Sequence, residues 1–339
     1  MVIPPTDSSA SQAFLPNVSV VIPIYNGEAD LPDLISCLRT QTYPVEKVEY
    51  LLVDNASRDR TASIIQTAAK EASFEGITIR YLAETEIQSS YAARNTGIRA
   101  AKSEFIAFTD ADCRPQPQWL EKLMQPFANA TIGIVVGEIA AFPGKTLLER
   151  HADKNDVLSQ RHTLSHPFYP YGQTANLAIR RQIFATVGLF RPYLTTGGDA
   201  DMCWRIQQQS NCQLQFSPDA IVRHRHRSTL EDYKSQWQRY GRSNRYLHEL
   251  HGVELMREMK PPEYMRRLTR WLVKEVPIHS VRAIARRTSP IEIVSTPIGL
   301  FGAWARTNGQ REARLPEKAK AIEWLENSSS ISSDGYPEK

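Results

Sequence analysis

The sequence predicts an α/β fold, a Rossmann-like and mostly parallel central sheet flanked by helices, followed by a C-terminal helical extension. Two observations carry this. From Asn17 to about Ala140, short β-branched runs alternate with longer segments of helical period, the pattern of βαβ units around a parallel sheet. Further on, Leu230 to Leu250 and Pro262 to Arg287 are basic and amphipathic at helical spacing.

In chain order, Val18-Ser-Val-Val-Ile-Pro is the first strand and Leu31 to Leu38 the first helix. Val48 to Val53 is a second strand, and Thr61 to Ala72 a second helix with Asp59 as a plausible cap. Ile77 to Leu82, Phe105 to Thr109 and Ile132 to Val136 continue the strands, with helices over Ser90 to Ala101 and Gln118 to Gln125 between them. Beyond Glu138 the alternation decays. Leu147 to Leu158 reads as helix, Ser165 to Thr174 as a Pro/Tyr/Gly loop, Ala175 to Ala178 and Ala220 to Val222 as short strands, Gln182 to Val187 as a helical turn and Asp199 to Gln208 as a helix. Ile291 to Ala305 is mostly apolar but broken by Glu292, Pro297 and Gly302.

The chain has 339 residues, 41% of them hydrophobic, enough for a substantial core. Four Cys with no CxxC pair exclude a zinc ribbon, a thioredoxin-type site and a disulfide-stapled scaffold, and fit a reducing compartment. Met1 to Asn17 has neither the basic nor the apolar region of a signal peptide, and no run of about 18 apolar residues occurs, so a cytoplasmic protein is expected. The net charge of +4 averages unlike parts. Residues 223–287 carry about +9, and the acidic-leaning remainder lies mostly before them. The expected organisation is a flexible N-terminus over 1–16, a catalytic domain over 17–228, a basic amphipathic helical extension over 229–326 and a disordered tail over 327–339. Within the catalytic domain, 17–138 forms the nucleotide-binding half and 139–228 the acceptor half.

In open α/β sheets ligands sit at the carboxyl ends of the strands, which singles out Tyr25-Asn26, Asp54-Asn55 and Asp110-Ala-Asp112. Two carboxylates at i, i+2 after a strand can hold a hard cation and, through it, diphosphate oxygens, although Asp-x-Asp is also a common turn. Asp54 suits a nucleobase or ribose contact, or a helix-entry cap. A dinucleotide oxidoreductase would need G-x-G-x-x-G after the first strand, where this chain has Pro23-Ile-Tyr-Asn26-Gly with one glycine.

Val18-Ser-Val-Val-Ile-Pro-Ile-Tyr-Asn26, Leu52-Val-Asp54-Asn-Ala-Ser-Arg-Asp-Arg-Thr61, Ala93-Arg94-Asn95-Thr-Gly97 and Asp110-Ala-Asp112 together resemble the ordered motifs of glycosyltransferase family 2, over about residues 17 to 245. The resemblance implies a GT-A fold and an inverting enzyme that uses a nucleotide-diphospho-sugar. It implies that Pro23 and Tyr25 line the nucleotide pocket, Asp54 binds the base, Arg94 lies near the base or diphosphate, and Asp110 and Asp112 serve ribose and metal, Mn²⁺ or Mg²⁺. The family's Gly-Glu-Asp-x-Asp segment maps onto Gly197-Gly198-Asp199-Ala-Asp201, so Asp199 is the expected general base with Asp201 as fallback, and Gly198 replaces the usual Glu. Both carboxylates also suit the first turn of a helix. Asn176 resembles the acceptor-side or donor-sugar segment, or is a turn residue. His224 can complete the metal's coordination beside Asp112, with His226 a weaker candidate, and Arg223, Arg225 and Arg227 can meet the diphosphate or an anionic acceptor.

The expected function is metal-dependent, inverting transfer of a sugar to a hydroxyl of a glycan, lipid-linked saccharide or glycolipid. The alternative is a non-catalytic nucleotide-sugar-binding scaffold. A nucleotidyltransferase would want a Gly-rich triphosphate loop that the first turn lacks, and no nucleic-acid-binding motif occurs. Residues 223–287 suit an anionic membrane surface on the inner face of a membrane, or a helix packed on the catalytic domain: Met265, Leu268, Trp271 and Leu272 share one helical face with Arg266, Arg267 and Arg270 around it.

Overall fold

The computed structural model describes residues 14–284, 289 and 291–325. Its elements run β1 (Val18–Ile24), α1 (Leu31–Arg39), β2 (Val48–Asp54), α2 (Thr61–Phe74), β3 (Thr78–Ala83), α3 (Ser90–Ala100), β4 (Phe105–Phe108), β5 (Cys113–Pro115), α4 (Trp119–Met124) and β6 (Ile132–Ala141). They continue through α5 (Leu147–Lys154), α6 (Arg161–Leu164), β7 (Leu177–Arg180), α7 (Ile183–Val187), α8 (Gly198–Gln209), β8 (Gln213–His224), α9 (Leu230–His251), α10 (Pro261–Arg270), α11 (Val276–Ile284) and α12 (Ile291–Glu312). A π-helical turn over Trp271–Glu275 joins α10 to α11.

One eight-stranded sheet has the order β3-β2-β1-β4-β7-β6-β8-β5. The first four strands are mutually parallel, β7 is antiparallel to both β4 and β6, β8 is parallel to β6, and β5 is antiparallel to β8. Every residue of β1 and β2 is buried, because helices cover both faces. Val20 and Ile22 pack with Leu34 of α1 and Ile65 of α2, while Val21 points the other way into Tyr91 and Ile98 of α3 and Met202 of α8.

The pairing of β1 with β4 stops at Val21–Phe108, whereas its pairing with β2 continues to Ile24–Asp54. The carboxyl ends of β1 and β4 therefore splay, and the crevice of the fold opens there. Pro23 sits beyond the last β4 partner, where its missing N–H costs no bond on that side.

Several local expectations are corrected. Ala220–Val222 is the end of a twelve-residue strand, β8, and Ala175–Ala178 moves to Leu177–Arg180 because Thr174–Asn176 forms a 3-10 turn. The helix from Leu147 stops at Lys154, and β5 pairs with β8 where no strand was expected. Residues 14–16 are docked: Phe14 packs edge-on against Phe105, and the Pro16 carbonyl accepts from the Tyr43 hydroxyl. The expectations for the rest of 1–16, for residues 285–287 and for the 327–339 tail lie outside the described residues.

Ile291–Glu312 is one continuous helix despite Pro297. Packing against α9 overrides the break: a side chain at Gly241 would collide with the Arg306 carbonyl, and one at Gly309 with the Gln238 carbonyl. No helix among the described residues is long and apolar enough to cross a membrane.

Candidate functional site

The β1–β4 crevice widens into a cavity of about 1730 Å³ whose walls include Pro23, Tyr25, Asn26, Arg94, Asp110, Asp112, Asp199 and His224. The fold thus brings together residues that lie up to two hundred positions apart in sequence. Tyr25 is half-exposed at the rim. Asn26 takes a positive φ of 49°, tolerable for Asn, and its Oδ1 accepts the Arg58 N–H at 2.9 Å, which ties the β1 turn to the β2 turn. Asp54 ends β2 and is buried. Its Oδ1 accepts the Ser57 N–H at 3.0 Å, so it caps the turn, and Asn55 rather than Asp54 lines the cavity.

Arg94, on α3 and almost fully buried, donates to Asp110 Oδ1 at 2.5 Å. Two residues on, Asp112 Oδ2 lies 3.0 Å from His224 Nε2 at the end of β8. The register Cys113–His224 between β5 and β8 sets that approach. Burial alone would raise the Asp112 carboxyl, but the His224 hydrogen bond and charge, with Arg227, bring it down to about 2. Burial opposes charge on His224 as well, yet Asp112 raises its pKa.

Ligating atoms of Asp112, Cys113 and His224 lie within 4.8 Å of one another. Burial pushes the Cys113 thiol well up and Asp110 and Asp112 push it further, so it stays a thiol and is a poor ligand. His224 Nδ1 lies 2.6 Å from the Arg225 carbonyl, which fixes that nitrogen as the donor and leaves Nε2 toward Asp112. A carboxylate oxygen and an oriented imidazole nitrogen are ligand types that fit a divalent cation such as Mn²⁺. His226 points elsewhere, with Nε2 4.0 Å from Asp153 Oδ1.

The Gly197 backbone adopts φ 81° immediately before α8, placing Asp199 in the first turn and in the cavity. Thr174 donates to Asp199 Oδ1 at 3.0 Å. Burial raises the Asp199 carboxyl, with Asp110 adding to the rise against Arg94 and Thr174. Gly198, where the resemblance implies Glu, has no room for a side chain: a Cβ there would sit 2.6 Å from Tyr91 Cζ, and the Gly198 N–H donates to the Tyr91 hydroxyl at 2.9 Å.

Two expected site residues face the interior. Asp201 is fully buried and its oxygens take Arg191 Nε and Arg205 Nε at 3.0 Å and His251 Nε2 at 2.9 Å, so it is enclosed by cations and does not line the cavity an acceptor would enter. Two positions along a helix turn a side chain by about 200°, which sends Asp199 and Asp201 to opposite sides. Asn176 is likewise buried: Oδ1 accepts from Trp119 Nε1 at 2.7 Å, and Nδ2 donates to the Glu138 and Ala220 carbonyls. It is a knot between β6, β8 and α4, away from the cavity wall.

Sequence reading missed Tyr171, Thr174, Arg239, Tyr240 and Arg306, all on the cavity wall. Arg239 and Tyr240 lay in a stretch whose basic amphipathic pattern hid which turn faces inward. Arg306 lay beyond the apparent break at Pro297.

The sequence profile of glycosyl transferase family 2 matches residues 19–195. The glycosyltransferase AglE of Haloferax volcanii is 33% identical over 74% of this chain and 84% of its own length. The pre-mycofactocin glycosyltransferase of Mycobacterium tuberculosis is 30% identical over 67% of this chain, which spans 46% of that relative. Among solved structures, the mannosyltransferase PcManGT of Pyrobaculum calidifontis, in complex with GDP-Man and Mn²⁺, superposes with a TM-score of 0.60 at 19% identity over 88% of both chains and shares the fold. The chain belongs to glycosyl transferase family 2 and is a glycosyltransferase of the GT-A fold.

Proposed function

We propose that the protein transfers a sugar, with inversion and with the help of Mn²⁺ or Mg²⁺, from a nucleotide-diphospho-sugar to a hydroxyl of a glycan, lipid-linked saccharide or glycolipid, in polysaccharide or glycolipid assembly. The observation that carries this reading is that Asp199, the Arg94–Asp110 pair and the Asp112–His224 pair all line one cavity. The neighbour's complex with GDP-Man and Mn²⁺ and the names of the relatives support it.

In this reading Pro23, Tyr25 and Asn26 bound the nucleotide end, with Asp54 shaping the turn that presents Asn55. Arg94 holds Asp110 toward the ribose. Asp112 and His224 hold the cation, which when bound neutralises the diphosphate. Asp199 takes the acceptor proton: its raised pKa makes it a stronger base than an ordinary carboxylate, and Thr174 fixes one oxygen so that the other faces the acceptor. The developing negative charge on the leaving diphosphate meets Arg227 and Arg239, which line the same cavity. Residues 223–287 place the enzyme peripherally on the inner, anionic face of a membrane.

The test is donor hydrolysis and transfer over a panel of nucleotide-sugars with Mn²⁺ or Mg²⁺. Metal-dependent turnover that Asp199→Asn abolishes is the expected result, and undiminished turnover by that variant would sink the assignment of the base.

A further inference from the structure

The helix α10 with its π-helical turn has three faces of different chemistry. At about 100° per residue, Tyr264, Trp271 and Glu275 fall on one edge. That edge packs on α12, with Trp271 Nε1 donating to the Ile293 carbonyl at 2.6 Å and Glu275 accepting from the Thr296 hydroxyl at 2.6 Å. On one side of the edge lie Met265, Leu268 and Leu272, 63%, 37% and 62% exposed. On the far side lie Arg266, Arg267 and Arg270, whose side chains form the mouth of the cavity. Arg270 shares a 3.2 Å ion pair with Glu275, whereas Arg266 and Arg267 have no carboxylate within 4 Å among the described residues.

The cavity behind this mouth is larger than the donor needs. Its volume of about 1730 Å³ exceeds the ~300–1,000 Å³ typical of a site for one small ligand. The same cavity is lined by Leu300, Met256 and Arg306, whose Nε is buried without a hydrogen-bond partner. Arginines and apolar side chains lining one cavity suit an anionic amphiphile.

We propose that α10 is the edge at which a membrane-embedded acceptor with a phosphate or diphosphate headgroup enters the cleft. Met265, Leu268 and Leu272 rest in the bilayer, while Arg266, Arg267 and Arg270 draw the phosphate toward Arg306, so that the attached sugar reaches Asp199. The occupant of the apolar face is an anionic bilayer and not a protein, because the face is bordered by the cations of α10 and by Lys274 and Arg282, all exposed. This rests on the glycosyl-transfer reading and narrows its acceptor to a saccharide carried on a lipid phosphate or diphosphate, whose sugar hydroxyl gives its proton to Asp199.

The experiment is flotation of the full chain with vesicles, paired with thermal stabilisation by UDP or GDP plus Mn²⁺. The vesicles are phosphatidylcholine alone, phosphatidylcholine with ~30 mol % phosphatidylglycerol, and a charge-matched mixture containing a polyprenyl phosphate. The wild type is expected to float with both anionic mixtures and not with phosphatidylcholine alone. M265D/L272D should lower the bound fraction about tenfold with nucleotide stabilisation unchanged. R266Q/R267Q/R270Q should abolish any preference for the polyprenyl phosphate over phosphatidylglycerol. Equal flotation of M265D/L272D and wild type would overturn the docking face, and a wild type that ignores polyprenyl phosphate would overturn the headgroup path. Absence of nucleotide stabilisation in the wild type would instead overturn the glycosyl-transfer reading, and the acceptor assignment with it.

Discussion

Trp271 Nε1 donates, at 2.6 Å, to the one backbone carbonyl of α12 that Pro297 deprives of its helical partner. Proline at position 297 has no N–H to give residue 293, four positions earlier. The indole fills that vacancy and, in doing so, docks the α10–α11 segment on α12. Trp271→Phe should therefore cost about 0.5–1.5 kcal/mol, because the half-buried carbonyl loses its donor. In Pro297→Ala the restored N–H takes over the carbonyl, so the same Trp271→Phe change should cost less. A double-mutant cycle by urea unfolding measures this coupling, and strictly additive costs would remove the account.

Asp199 and Asp201 make opposite predictions. Asp199→Asn should lower transfer by about 10²–10⁴-fold while nucleotide binding persists. Thr174 lowers the Asp199 pKa, so Thr174→Val should move the acid limb of the kcat/KM profile to higher pH. A limb that stays in place would assign the base to another group.

Asp201→Asn should act on stability, since it leaves two arginines buried with a neutral partner. Removing one member of such a cluster costs about 3–5 kcal/mol. Burial disfavours the charged Asp201, but His251, Arg205 and Arg191 bring it down to about 2. A depressed folded pKa contributes stability above the unfolded value of about 3.9 and loses it as pH falls toward 2. Acid unfolding below about pH 4 should accordingly flatten in Asp201→Asn.

His224→Ala and Asp112→Ala should each weaken the Mn²⁺-dependent part of nucleoside-diphosphate binding by tenfold or more, and leave metal-free binding nearly unchanged. Titration calorimetry with and without Mn²⁺ separates the two. A His226→Ala variant should keep the metal dependence, because its ring lies toward Asp153.

Gly198→Glu, which restores the family's usual residue, should destabilise the chain by about 1–3 kcal/mol through overpacking on Tyr91. Glycine at this place is a consequence of the large ring stacked on Phe190 below it. Thermal melts of Gly198→Ala and Gly198→Glu give the measurement, and a melting point equal to wild type in both would refute the clash.

The strands β1 to β4 and the residues at their carboxyl ends were legible because each is coded locally. A buried parallel strand is a short run of branched apolar residues, and the polar residue after it has to face the crevice. Asp112 and His224 were legible as candidates by type. That they meet was decided by the β5–β8 pairing, and β5, only three residues long, has no periodicity to read.

Sequence by itself determined the fold class, the family and the carboxylates offered to the cleft, since these follow from local pattern and motif order. Only the tertiary structure decided which carboxylates face the cavity. Asp199 is the expected base and Asp201 the fallback, and the structure turns the first to the cavity while the second is enclosed by Arg191, Arg205 and His251, which come from a loop, the same helix and the end of α9. Burial and partners from distant segments set those fates, and neither is a local property of the chain.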